Sequence, residues 1–446
     1  MPLPDLIEIV PLDKPVRAEI SVPGSKSITN RALVLAALGE GETTLQGALW
    51  SEDTQVMVEC LQELGFMVNV EPDAEEACNR TITVYGKGGL VPPGGTAEQP
   101  LELFVGNAGT AARFLAALVC LGKGVYRLHG VPRMHERPQA ALLQALRELG
   151  YRIDSPNDKL PALIFGSGPR PAKCRVSIEE SSQFASALLL CAEAGRWQVQ
   201  VTFVWRRRER LIAKCGKGVR RQVEVTGESA EESAYVAMTA KLIKAFPKAG
   251  GIFQIEPDAS SASYFWAAGF LLASAAVSVR AGPASDWQVD AAFPRFLPLP
   301  AAISRRTELG DSIMTAVVLA PFSNQAVRFT DLGRLRVQEC ERVAALRTEL
   351  TRCGAKVIEE ADTLTVFPSQ LHGADIETYG DHRMAMCFAI LGLKVAGIRL
   401  KNPSCVKKTF PDFYQKLAGP PPAGLGARIL DGKRGRALGE GELFAE

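Results

Sequence analysis

The octet Leu61-Gln62-Glu63-Leu64-Gly65-Phe66-Met67-Val68 has two near copies further along the chain, Leu146-Arg147-Glu148-Leu149-Gly150-Tyr151-Arg152-Ile153 and Leu350-Thr351-Arg352-Cys353-Gly354-Ala355-Lys356-Val357. Each closes a helical pattern at a glycine suited to the left-handed C′ position and then enters a strand. The first two glycines stand 85 positions apart, 65 to 150. A helix–glycine–strand unit recurring at that spacing predicts a repetitive α/β architecture. Helix starts recur as well. Ser25-Lys26-Ser27, Asn107 to Thr110, Ser181-Ser182-Gln183, Asp258 to Ser261, and Asp381 all offer N-capping side chains ahead of apolar runs.

At 446 residues the chain is too long for one hydrophobic core and predicts two domains of about 200 residues each. Apolar content of 47% and charged content of 22% are those of an ordinary soluble globular protein. A net charge of +2 excludes a global polyanion-binding character but leaves a local one open. Ten cysteines form no C-x-x-C pair, and Cys60, Cys120, Cys174, Cys191 and Cys387 sit mostly among apolar residues, as reduced packing groups do. No charged-then-apolar leader opens the sequence, and no run of about 18 apolar residues occurs. The reading is a reduced, cytoplasmic protein.

Three segments depart from the repeat. Trp205 to Arg221 carries eight Lys/Arg and reads as a basic insertion in a hairpin. Between Trp287 and Asp311 the chain is proline-rich and too short for a helix plus two strands, so one repeat is expected to be truncated. From Gly419 onward glycine and proline dominate without periodicity, which predicts a flexible tail over 419–446.

Two helix starts are built to hold anions. In Tyr379-Gly380-Asp381-His382-Arg383-Met384-Ala385-Met386 a cation and a carboxylate stand at the mouth of an apolar helix; in Gly106-Asn107-Ala108-Gly109-Thr110-Ala111-Ala112-Arg113 a glycine loop and an arginine do. Free N–H groups and the positive end of the helix dipole attract phosphate and carboxylate there. Pro23-Gly24-Ser25-Lys26-Ser27 continues to Arg31, placing two cations near one helix entrance; a capped surface helix with solvated basic residues is the alternative. Arg133 and Arg137 flank a strand-to-helix junction, where one of them is expected only to cap or form a salt bridge. Glu339 and Arg342 are three apart on one helix face, which by itself is an ordinary ion pair worth a few tenths of a kcal/mol. Val343, Leu346 and Leu350 mark that helix's buried stripe. Asp311 could be an N-cap, and Lys407-Lys408 a solvated turn. Only four histidines are present, none paired at metal-ligand spacing, which disfavours imidazole-centred or zinc chemistry.

Taken in order, Gly24-Ser25-Lys26-Ser27…Asn30-Arg31, Gly106–Thr110, Arg133-Met134…Glu136-Arg137-Pro138, Ser181-Ser182-Gln183-Phe184, Asp258–Tyr264, Thr378–Met386 and Lys408–Asp412 resemble the motifs of the 5-enolpyruvylshikimate-3-phosphate (EPSP) synthase family from about Ser21 to Leu417. The resemblance implies a two-domain inside-out α/β barrel of the enolpyruvyl transferase type, each domain assembled from three βαβαββ units. It places one domain at 21–252 and the other at 1–20 plus 253–446. It implies transfer of the enolpyruvyl group of phosphoenolpyruvate to the 5-hydroxyl of shikimate 3-phosphate, with no metal or organic cofactor, by a monomer that binds neither nucleic acid nor membrane. Shikimate 3-phosphate would meet Lys26, Ser27, Arg31, Ser181, Ser182, Gln183, Asp311 and Gln338. Phosphoenolpyruvate would meet Lys26, Gly109, Arg133, Gln183, Arg342, Arg383 and Lys408. Glu339 would exchange the proton at the methylene carbon, Asp311 would act as base toward the 5-hydroxyl, and Lys26 would share proton handling. Guanidinium forks suit such a substrate pair because they hold phosphate and carboxylate bidentately without titrating.

The sequence departs from the family pattern at several positions. Gln338 stands where the family usually has lysine and Arg334 where it has asparagine, and Glu232-Ser233-Ala234-Tyr235 replaces a Ser-x-Pro-Tyr motif. Phe114 stands where many members have proline, so altered sensitivity to the inhibitor glyphosate is expected; inhibition curves that match before and after Phe114→Pro would refute it. Two other readings remain open: an inactive anion-binding homologue, and a transferase acting on UDP-N-acetylglucosamine.

Overall fold

The computed structural model describes residues 3–202, 211–212, 224–226, 230–272 and 277–445. Each octet ends its helix as its sequence predicts. The helices Glu52–Glu63, Ala140–Glu148 and Arg342–Arg352 are followed by Gly65, Gly150 and Gly354 at φ +86°, +88° and +92°. In each case the glycine N–H and the next N–H bond back into the last turn: Gly65 N to Gln62 O and Phe66 N to Leu61 O, Gly150 N to Arg147 O and Tyr151 N to Leu146 O, Gly354 N to Thr351 O and Ala355 N to Leu350 O. This paired closure satisfies carbonyls the helix leaves open and needs a residue free to adopt positive φ. The strands Met67–Pro72, Arg152–Asp154 and Val357–Glu360 follow.

The chain forms two compact units, one nested in sequence within the other: Gly24–Asp73 with Asn79–Ile255, and Met1–Pro23, Ala74–Cys78 and Glu256–Glu446 flanking it. The sequence-based junctions at 20/21 and 252/253 contain no excursion at Ala74–Cys78. One sheet order repeats across both units. In the nested unit Leu101–Phe104 pairs parallel with Lys123–His129, which pairs antiparallel with Ala162–Ser167, which in turn pairs with Arg152–Asp154. In the flanking unit Ala302–Ser304, Val327–Thr330, Thr363–Val366 and Val357–Glu360 do the same. A parallel pair needs a crossover, and a helix fills it each time: Gly109–Leu118 in the first case and Ile313–Leu319 in the second. Distant segments complete other sheets. Gly251–Gln254 lies parallel to Glu40–Leu49, and Leu6–Ile9 lies between Ile398–Lys401 and Ile429–Asp431.

Next to these four-stranded sheets, Val277–Val279 and Ala18–Ile20 form a sheet of two strands, and the following 287–311 stretch holds a 3-10 turn, Val289–Phe296, rather than an α-helix. Two sequence expectations are corrected. Over its described residues, 419–445, the last segment is docked, not loose. Ile429–Asp431 adds to the Leu6–Ile9 strand, and Leu425, Ala427, Ile429, Leu443 and Ala445 are buried in the flanking core. Aperiodic glycine and proline concealed these apolar anchors, which pack singly and not as a helical stripe. Capping is also less uniform than expected. The side chains of Ser181, Asp258 and Asp381 accept from backbone N–H groups of their helices, whereas the helices starting at Lys26 and Gly109 have no side-chain cap. Apart from Leu211–Ile212, the 205–221 run with all of its basic residues lies outside the described residues, as do the side chains of Glu232 and Ser233.

The Ala74–Cys78 excursion brings a polar cluster into the flanking unit. Cys78 Sγ donates to Asp412 Oδ1 at 2.8 Å, and Lys416 Nζ donates to Glu76 Oε2 at 2.9 Å and Ser21 Oγ at 2.8 Å. Burial raises the Asp412 carboxyl, Glu76 beside it raises it further, and Lys416 only partly offsets this, leaving it at about 7. A carboxyl held above its unfolded value binds its proton more tightly when folded. Stability contributed by the neutral form is therefore lost as pH rises from about 4 to about 7, on the order of a few kcal/mol. Asp412→Asn should flatten that slope in urea unfolding measured between those pH values, since the amide mimics the protonated acid. An unchanged slope would assign the titration to another group.

Candidate active site

In the flanking unit the candidate residues converge on one guanidinium-rich cluster. Arg342, 1% exposed, opens the helix Arg342–Arg352. Its Nε donates to Asp381 Oδ2 at 2.6 Å, its Nη2 pairs with Glu339 Oε2 at 2.9 Å, and its Nη1 donates to Gln338 Oε1 at 2.5 Å. Val343, Leu346 and Leu350 beneath it are fully buried, which fixes the face on which Arg342 stands. Glu339 precedes the helix and does not belong to its first turn; it also lies 3.6 Å from Lys408 Nζ. Asp381 has no exposed surface and caps the next helix, His382–Gly392, by accepting from Arg383 N at 2.9 Å.

Asp311 lies just ahead of the helix Ile313–Leu319, but it is not the N-cap, a position that Ser312 takes. Its Oδ2 stands 3.2 Å from Arg383 Nη2 and 3.8 Å from Arg342 Nη1, and its Oδ1 stands 3.1 Å from Arg305 Nη2. Burial would raise the Asp311 carboxyl, but Arg383, Arg342 and Arg305 together outweigh burial and the opposing Glu339, holding it well below the usual carboxylate range. Arg383 and Arg342 are held charged in turn: burial opposes the charge, and the surrounding carboxylates, Asp311 first for Arg383 and Asp381 first for Arg342, overcome it. Permanent cations with paired carboxylates suit a site that binds anions and moves single protons.

In the nested unit, Lys26 Nζ lies 2.9 Å from Asp53 Oδ2 at the uncapped start of Lys26–Leu38, with Ser27 half-buried beside it. Arg31 is 1% exposed, and its guanidinium donates to Thr239 Oγ1, Ser27 O and Ser186 Oγ while lying over the ring of Phe114, 5.3 Å from its centroid. Phe114 itself is fully buried. A Cβ on Gly109 would stand 2.7 Å from both Arg113 Nη1 and Arg137 Nη2, so a side chain here would displace the ends of both guanidinium groups. Arg137 Nη1 donates to Asn107 O, while Arg133 is exposed and pairs with Glu136 at 2.6 Å. Ser181 and Ser182 are buried at the start of Ser182–Gly195, with Gln183 next to them.

Sequence reasoning missed Arg305 and Asp290. Arg305 follows a short strand with no periodic signal, and Asp290 lies in the aperiodic 3-10 turn. Among the described residues, Glu76, Cys78 and Asp412 are the metal-ligand types that come together, within 4.8 Å, and the Lys416 ammonium already supplies the countercharge there. No helix among the described residues is long and apolar enough to cross a membrane.

The repeated sheets and clustered cations define an enolpyruvyl transferase fold. An EPSP synthase from Acinetobacter baumannii shares it at TM-score 0.69 and 19% identity, over 95% of this chain and 99% of that one. The enolpyruvyl transferase NikO from Streptomyces tendae does so at TM-score 0.64 and 17% identity, over 98% and 100%. Residues 11–295 and 302–417 match the EPSP synthase (3-phosphoshikimate 1-carboxyvinyltransferase) family model, and the chain belongs to that family. It is 36% identical to the 3-phosphoshikimate 1-carboxyvinyltransferase of Trichormus variabilis over 93% of this chain and 98% of that protein, and 38% identical to that of Opitutus terrae over 94% and 98%.

Proposed function

We infer that the protein is a 3-phosphoshikimate 1-carboxyvinyltransferase, transferring the enolpyruvyl group of phosphoenolpyruvate to the 5-hydroxyl of shikimate 3-phosphate and releasing phosphate. Family membership over most of the chain carries this reading. The cluster of Arg342, Arg383 and Lys408 around Asp311 and Glu339 supports it.

In this reading Arg342, Arg383 and Lys408 take the phosphate and carboxylate of phosphoenolpyruvate, together with Lys26, Gly109, Arg133 and Gln183. Lys26, Ser27, Arg31, Ser181, Ser182, Gln183, Asp311 and Gln338 serve shikimate 3-phosphate. Arg31, with its guanidinium turned to Thr239 and Ser186, acts by fixing the helix that carries Lys26 and Ser27. Glu339 protonates the methylene carbon as the 5-hydroxyl oxygen bonds to the adjacent carbon, and the hydroxyl proton is drawn toward Asp311. The tetrahedral adduct then returns a methyl proton to Glu339, the carbon–oxygen bond to phosphate breaks, and phosphate leaves with the other proton. Because Asp311 is held as a carboxylate, its contribution is to align and polarise the hydroxyl more than to store its proton. A monomeric state and a cytoplasmic location accompany this reading; light scattering and cell fractionation test them.

The first test measures phosphate release by purified protein given phosphoenolpyruvate with shikimate 3-phosphate, and separately with UDP-N-acetylglucosamine. Release with the first acceptor alone is expected. Release with neither, despite binding of shikimate 3-phosphate, would favour the inactive homologue.

A further inference from the structure

Asp311 sits in a loop held from behind by groups that carry no family motif. Asp290, 4% exposed, accepts from Gly310 N at 2.8 Å, Ser312 N at 3.2 Å and Ser312 Oγ at 2.5 Å through one oxygen, and from Ser260 Oγ at 2.5 Å through the other. The residues on both sides of Asp311 are thus tied to one buried carboxylate. At Gly310 a Cβ would stand 2.9 Å from Val289 and 3.1 Å from Asp290, so the loop packs closely against both side chains. With its backbone fixed, the remaining freedom of Asp311 is the rotation of its carboxylate.

Arg305 removes that freedom. Its side chain is 2% exposed, it follows the strand Ala302–Ser304, and its backbone N–H bonds to Thr330 O at 3.1 Å. The guanidinium therefore projects from a paired strand end and meets Asp311 Oδ1, while Arg383 meets Oδ2. We propose that Arg305 is a positioning residue of the transfer reaction, setting the rotamer of Asp311 so that one carboxylate edge is presented to the acceptor hydroxyl. The proposal rests on the role given to Asp311 above. Arg383 and Arg342 already serve the phosphoenolpyruvate anion in that reading, and their pull on Asp311 changes when it binds. Arg305 supplies a restraint that does not depend on that substrate. Among the described residues, the charged groups that act most on Asp311 are Arg383 and Arg342 from the starts of two helices, Arg305 from its own loop, and Glu339 from the segment ahead of Arg342, with the Asp290 carboxylate behind the loop.

A double-mutant cycle on the full-length protein, read as phosphate release, tests this. Arg305→Gln is expected to lower kcat about tenfold, or about 1.4 kcal/mol of barrier, with both KM values within about twofold. Arg305→Lys should recover much of the loss, because it restores the cation, and it remains informative if the glutamine variant fails to fold. In an Asp311→Asn background, Arg305→Gln should cost nothing further, because a residue acting through Asp311 has no effect once the carboxylate is gone. Additive losses with Asp311→Asn itself impaired would overturn the Arg305 proposal alone. So would an unchanged kcat, or a raised KM for phosphoenolpyruvate at constant kcat, which would make Arg305 a ligand contact. Full activity in Asp311→Asn would overturn the assignment of Asp311 and this proposal with it.

Discussion

Glu339→Gln should lower kcat for phosphate release about 10²- to 10⁴-fold, the range for removing a positioned proton-transfer group. Glutamine keeps the shape and a hydrogen-bonding oxygen toward Arg342 and Lys408, but it cannot give a proton to carbon and take one back. Binding should change far less. Glu339 is 15% exposed, and its partner Arg342 keeps the buried Asp381, so the fold does not depend on the Glu339 charge. Shikimate 3-phosphate titrated by calorimetry should bind the variant within a few-fold of the parent protein. If kcat stays within about tenfold, Glu339 is only the ion-pair partner that its i,i+3 spacing suggests.

Asp381→Ala should produce the largest loss of stability, about 3–5 kcal/mol for uncovering a buried cation and about 1 kcal/mol more for a lost helix cap. Asp381 has no exposed surface and accepts from Arg342 Nε at 2.6 Å, Arg342 Nη2 at 3.2 Å and Arg383 N at 2.9 Å. Alanine strands the Arg342 guanidinium with too little negative charge and frees the first turn of His382–Gly392. Asp381→Asn should cost less, since the amide oxygen can still cap. Urea unfolding followed by tryptophan fluorescence and by circular dichroism separates the two variants. Equal midpoints for alanine and parent would show that Glu339 and Asp311 suffice to hold Arg342, and that the Asp381 pair contributes little.

Local rules made the repeats legible. A helix-ending glycine is a demand of the backbone, imposed by φ of about +90° at Gly65, Gly150 and Gly354 whatever surrounds it, so three similar octets disclosed three similar chain reversals. The buried stripe of Val343, Leu346 and Leu350 was legible for the same reason, since helix periodicity is a local property. Caps were less legible. Serine ahead of Lys26 and Asn107 ahead of Gly109 have the right chemistry, yet the helices that follow have no side-chain cap. The docking of the last residues was invisible, because Ile429–Asp431 becomes a strand only against Leu6–Ile9 from the other end of the chain.

The sequence by itself determined the α/β repeats, the family and the residue types of the site, because helix ends, periodicity and ordered motifs are written in consecutive residues. Only the tertiary structure decided what those residues face. It placed Arg305 on Asp311, six positions away across a turn, and Asp290 behind the same loop from twenty positions upstream of Gly310. It turned Arg31 inward to Thr239 and left Arg133 on the surface with Glu136. Charge and hydrogen-bonding capacity belong to a residue, but the state of a carboxylate is set by the cations that folding brings within about 4 Å, and no local pattern records them.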